Sequence, residues 1–166
     1  MIGLLLMACA GLPVAPESPP VEVLHQFAIQ ARGQTFAGLA AVQIQGEAYT
    51  LVAITPGGLE LFSVRGDAET LTVSAPQEDL EALLERLPLG RDLQLLYAWT
   101  CGSVPACAVG GGRLTEAPSE TGWTRSWKGP GGPAVVTVEK GRATLEDPRR
   151  GYTLLVVGEE LVVPRP

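Results

Sequence analysis

The sequence predicts a mainly β fold of the α+β kind, in which a large antiparallel sheet curls and one or two helices cover its concave face. Three observations predict it. Alternating apolar and polar stretches recur through both halves of the chain, short glycine-bearing turns join them, and one leucine-rich helical pattern interrupts them in the middle. With 166 residues, 46% of them hydrophobic and 18% charged, the chain has material for one domain with a real core.

The elements follow in order. "FAIQA" (27–31) and "QTFAGLAAVQI" (34–44) read as strands around a turn at Gly33, with Phe36, Gly38, Ala40, Val42 and Ile44 on one face of the second. Turns at Gly46-Glu47, at Pro56 to Gly58 and at Gly66-Asp67 separate "AYTLVAIT", "LELFSVR" and "ETLTVSA", as in a meander of hairpins. The pattern then becomes helical. "PQEDLEALLERLPLG" spaces Leu80, Leu83, Leu84 and Leu87 for one helix face, puts Glu78 and Asp79 in the first turn and Arg86 in the last, and stops at Pro88 and Gly90. "RDLQLLYAW" fits a second short helix with Leu93, Leu96 and Tyr97 on one side. Strands resume with "GRLTEA", "GWTRSW", "AVVTVEK", "ATLED", "GYTLLVVG" and "LVV", and "GPGGP" (129–133) is an exposed loop. Roughly five strands on each side of a helix pair make a sheet that has to curl, and its apolar face needs a cover. A curled sheet under a helical lid encloses a cavity suited to apolar ligands.

The amino-terminal stretch has a different character. Residues 1–8 are an apolar run too short to span a bilayer, which takes roughly 20 residues, and they end in Ala8 before Cys9. Leu6, Ala8 and Cys9 match the bacterial lipobox, in which an aliphatic residue precedes an invariant cysteine by three positions and a small residue stands directly before it. On that reading residues 1–8 are a lipoprotein signal peptide. The Cys9 thiol takes a diacylglyceryl group, and the new amino terminus can take a palmitate. Several chains at about 0.8 kcal/mol per buried CH2 hold a protein on a membrane where one would not. Residues 9–23 include "AGLPVAPESPP", with four prolines, and are expected to be an extended tether. Residues 24–166 are then the single folded domain. Ala10 after the cysteine, in place of aspartate, resembles the outer-membrane sorting rule, so the expected address is the periplasmic face of the outer membrane.

Cys101 and Cys107 stand close in sequence, and in a secreted protein a structural disulfide is the natural pairing. A metal centre would need more ligands than these two, and the single histidine, His25, lies far from them in sequence. His25 falls at the end of the tether, where a solvated side chain is expected. Glu78, Asp79, Glu81 and Glu85 read as a solvated helix face. Trp123 and Trp127 fall on one face of a strand, where they either close the core or line a ligand site.

The segments "DLQLLYAW" (92–99) and "GYTLLVV" (151–157), with the turn in "LVAITPGG" (51–58), carry a likeness. The chain resembles a family of uncharacterised bacterial lipoproteins, itself similar to the outer-membrane lipoprotein receptor LolB and its periplasmic carrier LolA. The resemblance implies an unclosed antiparallel β-barrel with a helical lid, and an apolar cavity that holds acyl chains or the lipids of lipoproteins. With the strand and helix patterns, it points to Phe36, Leu51, Leu61, Leu83, Leu95 and Tyr152 as the cavity lining. Small inner-face residues (Gly38, Ala40, Ala53) would leave room for a ligand.

Other function classes find little support. No G-x-S-x-G, P-loop or H-E-x-x-H occurs, so no catalytic residue, metal ligand or cofactor is expected. A net charge of -6 argues against nucleic acid as a partner. The expected partners are the membrane, through the anchor, and an acyl-chain or lipoprotein ligand, taken up by a monomer. The competing expectation is a solidly packed structural or assembly lipoprotein that binds a protein partner on its surface.

Overall fold

A computed structural model describes residues 11–17, 19–67 and 69–158. Cys9, the leader and the "LVV" segment near the carboxyl terminus lie outside these residues. The first half supplies β1 (Val21–Ala31), β2 (Gln34–Gln45), β3 (Ala48–Ile54), β4 (Glu60–Gly66) and β5 (Leu71–Ser74). Two short helices follow, α1 (Glu78–Leu84) and α2 (Leu89–Leu93), and α2 runs into a π-helical turn, Gln94–Ala98. The second half supplies β6 (Ala106–Val109), β7 (Gly112–Ser119), β8 (Gly122–Lys128), β9 (Ala134–Glu139), β10 (Arg142–Asp147) and β11 (Tyr152–Val157).

All eleven strands form one antiparallel sheet in the order β5-β4-β3-β2-β1-β11-β10-β9-β8-β7-β6. Each half is a meander, and the pairing of β1 with β11 welds the two together, Phe27 opposite Val156 and Ile29 opposite Leu154. β5 and β6 are the ends of the sheet and do not pair with each other, so the sheet stays unclosed. Tight hairpins follow from local chemistry. Between β1 and β2 both loop residues, Arg32 and Gly33, have positive φ (51° and 79°), the geometry whose twist matches that of the flanking strands.

Alternation along the strands defines an inner face. His25, Phe27, Ile29 and Ala31 of β1, Ala40, Val42 and Ile44 of β2, and Val136 and Val138 of β9 are all buried, while their neighbours turn outward. All of these except His25 form one continuous apolar cluster with Leu80, Leu83, Leu84 and Leu87 from α1 and the residues after it, and with Leu89, Leu93, Leu95 and Leu96 from α2 and the π-helical turn.

The helical segment departs from the expected pattern in two places. α1 stops at Leu84, so Arg86 follows the helix and does not close its last turn; Arg86 and Leu87 instead donate to the carbonyls of Leu83 and Leu84, and Pro88 has no N–H to carry the helix further. The expected second helix is α2 plus the wider turn, where the Trp99 N–H reaches the Gln94 carbonyl at 2.6 Å. This widening lets Leu95, Leu96 and Ala98 all be buried within four residues.

Part of the proline-rich segment lies against the sheet. β1 begins at Val21. Upstream of it, Val14 bridges Ala108 of β6 in parallel, with Ala108 N–H donating to Pro13 O at 2.7 Å and Ala15 N–H to Ala108 O at 2.9 Å.

Candidate functional site

The inner face of the sheet, the helical segment and the groups that tie them together make up the candidate site. Four of the six expected lining residues, Leu51, Leu83, Leu95 and Tyr152, are at most 8% exposed and belong to the single apolar cluster. Phe36 and Leu61 are partly buried against it. Leu61 comes inward because the register slips between Ala53 and Ile54, which leaves an extra residue on β4. Its Cδ1 lies 3.2 Å from where a Cβ on Gly38 would stand, and that Cβ would also collide with the Ile54 carbonyl. Phe62, fully buried, sits opposite Ala53 and meets Phe27 edge-on at 5.7 Å between centroids. The space beside Gly38 is therefore taken by Leu61 and the backbone of β3.

His25 is a correction to the sequence reading. It is 4% exposed, on the inner face of β1, and its Nδ1 lies 3.1 Å from the Tyr97 hydroxyl on the π-helical turn. Alternation with Phe27 and Ile29 carries it inward, so it joins the central strand to the helical segment and is not solvated. Burial pushes the Tyr97 hydroxyl well above its ordinary pKa. Trp123 and Trp127 both face inward from β8, and Trp99, just past the π-helical turn, packs against Trp127 at 4.7 Å between ring centroids.

Two buried charge clusters fix the same helical segment, and the sequence did not reveal either. In the first, Arg91 of α2 donates through Nε to Asp92 Oδ1 at 2.7 Å, through Nη2 to Asp147 Oδ2 at 3.2 Å, and through Nη1 to the carbonyls of Gly131 and Gly132 at 2.8 and 2.9 Å. Arg150 adds a second cation, 3.0 Å from Asp147 Oδ2. The side chains of Asp92 and Asp147 are fully buried, and Asp92 Oδ2 has no hydrogen-bond partner among the described residues. The two carboxyls are therefore driven apart. Burial pushes Asp92 up to about 7 against the pull of Arg91. Burial also raises Asp147, but the Arg150 backbone N–H and hydrogen bonds from Arg91 and Arg150 outweigh it and hold this group below the usual carboxylate range. The "GPGGP" loop, exposed as expected over its first residues, supplies two of the carbonyls that hold Arg91.

In the second cluster Arg125 of β8 donates through Nε to Glu116 Oε1 at 2.6 Å and through Nη1 to the Leu95 carbonyl at 3.0 Å, with its guanidinium 3.9 Å from the Trp123 ring centroid. Glu116 Oε2 accepts from the Cys101 N–H at 2.6 Å. Cys101 and Cys107 are joined in a disulfide, with Cα atoms 5.4 Å apart. Glu116, Arg125 and the disulfide thus tie the π-helical turn to the start of β6. Replacing both cysteines with serine is expected to cost about 2 kcal/mol on the chain-entropy account of so short a loop. Urea unfolding under oxidising conditions checks this, as a lowered midpoint.

Two hollows border the first meander. One of about 690 Å³ is lined by residues that include Glu22, Gln43, Tyr49, Thr50, Arg65 and Asp67. The other, about 480 Å³, is lined by residues that include Leu24, Ala41, Gln43 and Val52, from the outer faces of β1 to β3. None of the six expected lining residues lines either hollow. Among the described residues no three His, Cys, Asp or Glu side chains group to hold a metal ion, and no helix is long and apolar enough to cross a membrane.

No curated protein matches the chain. The family described as "Protein of unknown function (DUF3261)" matches over residues 22–159, from the start of β1 to just past the end of β11. Because that match spans the whole sheet and the helical segment, the chain belongs to the DUF3261 family.

Proposed function

We propose that this protein is a lipoprotein anchored through Cys9 at the periplasmic face of the outer membrane, and that it takes up acyl chains or the lipids of lipoproteins between the concave face of its sheet and the helical segment covering that face. It acts by binding, without catalysis. The observation that carries the reading is the opening between β5 and β6: the sheet is unclosed, and the chain that joins these two edges is the helical segment whose leucines enter the apolar cluster of the inner face. An apolar interior whose cover belongs to a separate segment suits a ligand that must enter and leave. That cover is held by discrete polar ties (Gln94 to the Gly46 carbonyl at 2.9 Å, Arg125 to Leu95, Arg91 to Asp147, and His25 to Tyr97), which open at lower cost than a continuous ladder.

The alternative, a packed lipoprotein that binds a protein partner on its surface, draws support from the filling of the inner face by Leu61 and Phe62 and from the low exposure of Leu51, Leu83, Leu95 and Tyr152. Mass spectrometry of the chain made in a bacterium and extracted from its envelope in mild detergent separates the two. Under denaturing conditions the expected mass is that of residues 9–166 plus a diacylglyceryl group and an acyl chain. Under native conditions the expected result is a further mass equal to a fatty acid or phospholipid. A native mass with no addition, together with no uptake of a fluorescent fatty acid, would favour the packed alternative.

A further inference from the structure

The β6 edge carries a set of features that the acyl-binding proposal leaves unused. The Pro13 carbonyl and the Ala15 N–H are hydrogen-bonded to Ala108, and Pro13 stands four positions after Cys9 in the chain. Four residues reach about 14 Å at full extension, whereas a tether free up to Val21 would reach about 40 Å. Wherever Cys9 is held, the β6 edge is held close to it.

At this edge exposed apolar side chains and cations stand together. Val14, Ala108, Arg113 and Lys128 form one row across the outer face of β6, β7 and β8. Val14 is 84% exposed, and Leu12 (41%) and Val104 (37%), in the segments leading to Val14 and to β6, are exposed as well. Arg113 and Lys128 are both exposed neighbours on this face of a chain whose net charge is -6. The next row, Ala106, Thr115, Ser126 and Val135, brings no carboxylate before Glu146 of β10.

We infer that this edge (Leu12, Val14 and Val104 with Arg113 and Lys128) is the surface on which the domain rests against an anionic lipid bilayer. The inference depends on the reading of Cys9 as the lipid anchor. Apolar side chains enter the headgroup region, and the two cations face lipid phosphates. The disulfide and the Glu116 hydrogen bond to Cys101 keep the loop carrying Val104 in place. The opening between β5 and β6 is thereby held next to the membrane.

The test uses the full chain, lipidated in a bacterium, purified, and reconstituted into vesicles of three parts phosphatidylethanolamine to one part phosphatidylglycerol. A fluorophore is placed on Val14→Cys, or independently on Val104→Cys, and for comparison on Leu24→Cys. Leu24 is exposed on β1, six strands away in the sheet, or about 29 Å along it. Quenching by iodide in the water is expected to be several-fold weaker at positions 14 and 104 than at 24. Adding Arg113→Glu with Lys128→Glu is expected to bring them up toward the value at 24. Equal quenching at all three positions in vesicle-bound chain overturns the proposal while leaving the anchor intact. Shielding that survives the charge reversal overturns the assignment to an anionic surface. Chain that fails to float with the vesicles removes the Cys9 anchor, and this inference with it.

Discussion

Replacing Arg91 with methionine is expected to lower stability at pH 7 by about 3–5 kcal/mol, read as a lower urea midpoint with an unchanged slope. Methionine keeps the apolar stem of the side chain but removes the guanidinium donors of Arg91 at the junction of α2, the 129–133 loop and the end of β10, leaving only those of Arg150 among the side chains of this cluster. Asp92 and Asp147 would then share the remaining cation, Arg150, which ion-pairs with Asp147. The Gly132 carbonyl would also lose its Arg91 donor, while the Gly131 carbonyl keeps the hydrogen bond from Arg150 Nη1 at 2.6 Å. Most of the cost comes from stranding buried carboxyl groups, because an intact buried ion pair contributes little by itself. The double variant Arg91→Met with Asp92→Asn should therefore recover part of the loss, and the non-additivity measures the coupling. A cost below about 1 kcal/mol for Arg91→Met would mean that water reaches this cluster, and the helical segment would then be held by its leucines alone.

Much of the sheet was legible because a half-buried strand leaves a period of two in its sequence. Ala40, Val42 and Ile44 fell on the inner face as their alternation required, and the spacing of Leu80, Leu83, Leu84 and Leu87 predicted which side of the helical segment is buried. The separation of Cys101 from Cys107 was enough to suggest their disulfide. His25 shares the parity of Phe27 and Ile29, but it follows the proline-rich stretch so closely that its local composition resembles a tether's end. The charged clusters are a different matter. Arg91 and Asp147 are 56 residues apart, and Arg125 meets a backbone carbonyl 30 residues away. A charged side chain is buried only where the topology brings it a partner, and nothing local marks that in advance. Whether the inner face holds a ligand was equally hidden. Gly38, Ala40 and Ala53 suggested empty volume, but the bulge that turns Leu61 inward depends on the pairing of β3 with β4.

Asp92→Asn is expected to change how stability depends on pH. In the folded chain Asp92 keeps its proton up to about pH 7, against an ordinary value of 3.8. Between those values the folded state binds more protons than the unfolded one. The contribution of this group is therefore complete below pH 3.8 and is lost as pH rises through about 7. At about 1.4 kcal/mol per pH unit, the loss across the window is on the order of 4 kcal/mol. Asp147 has the opposite sign. Its folded pKa is depressed, so its contribution is present at neutral pH and disappears only in acid, as pH falls through that lowered value. The two carboxyls thus act in separate windows although they share Arg91. Asparagine keeps the carbonyl oxygen that faces Arg91 Nε and cannot ionise, so the variant should gain stability over the wild type steadily from pH 4.5 to 7.5. Urea midpoints of both proteins at several pH values would check this. Parallel curves would mean that Asp92 is ionised throughout the range, with Arg91 and Arg150 together offsetting its burial. A divergence confined to this window would identify the attachment of α2 to the sheet as the junction that loosens as pH rises toward neutrality, at the point where the proposed acyl-binding interior meets its cover.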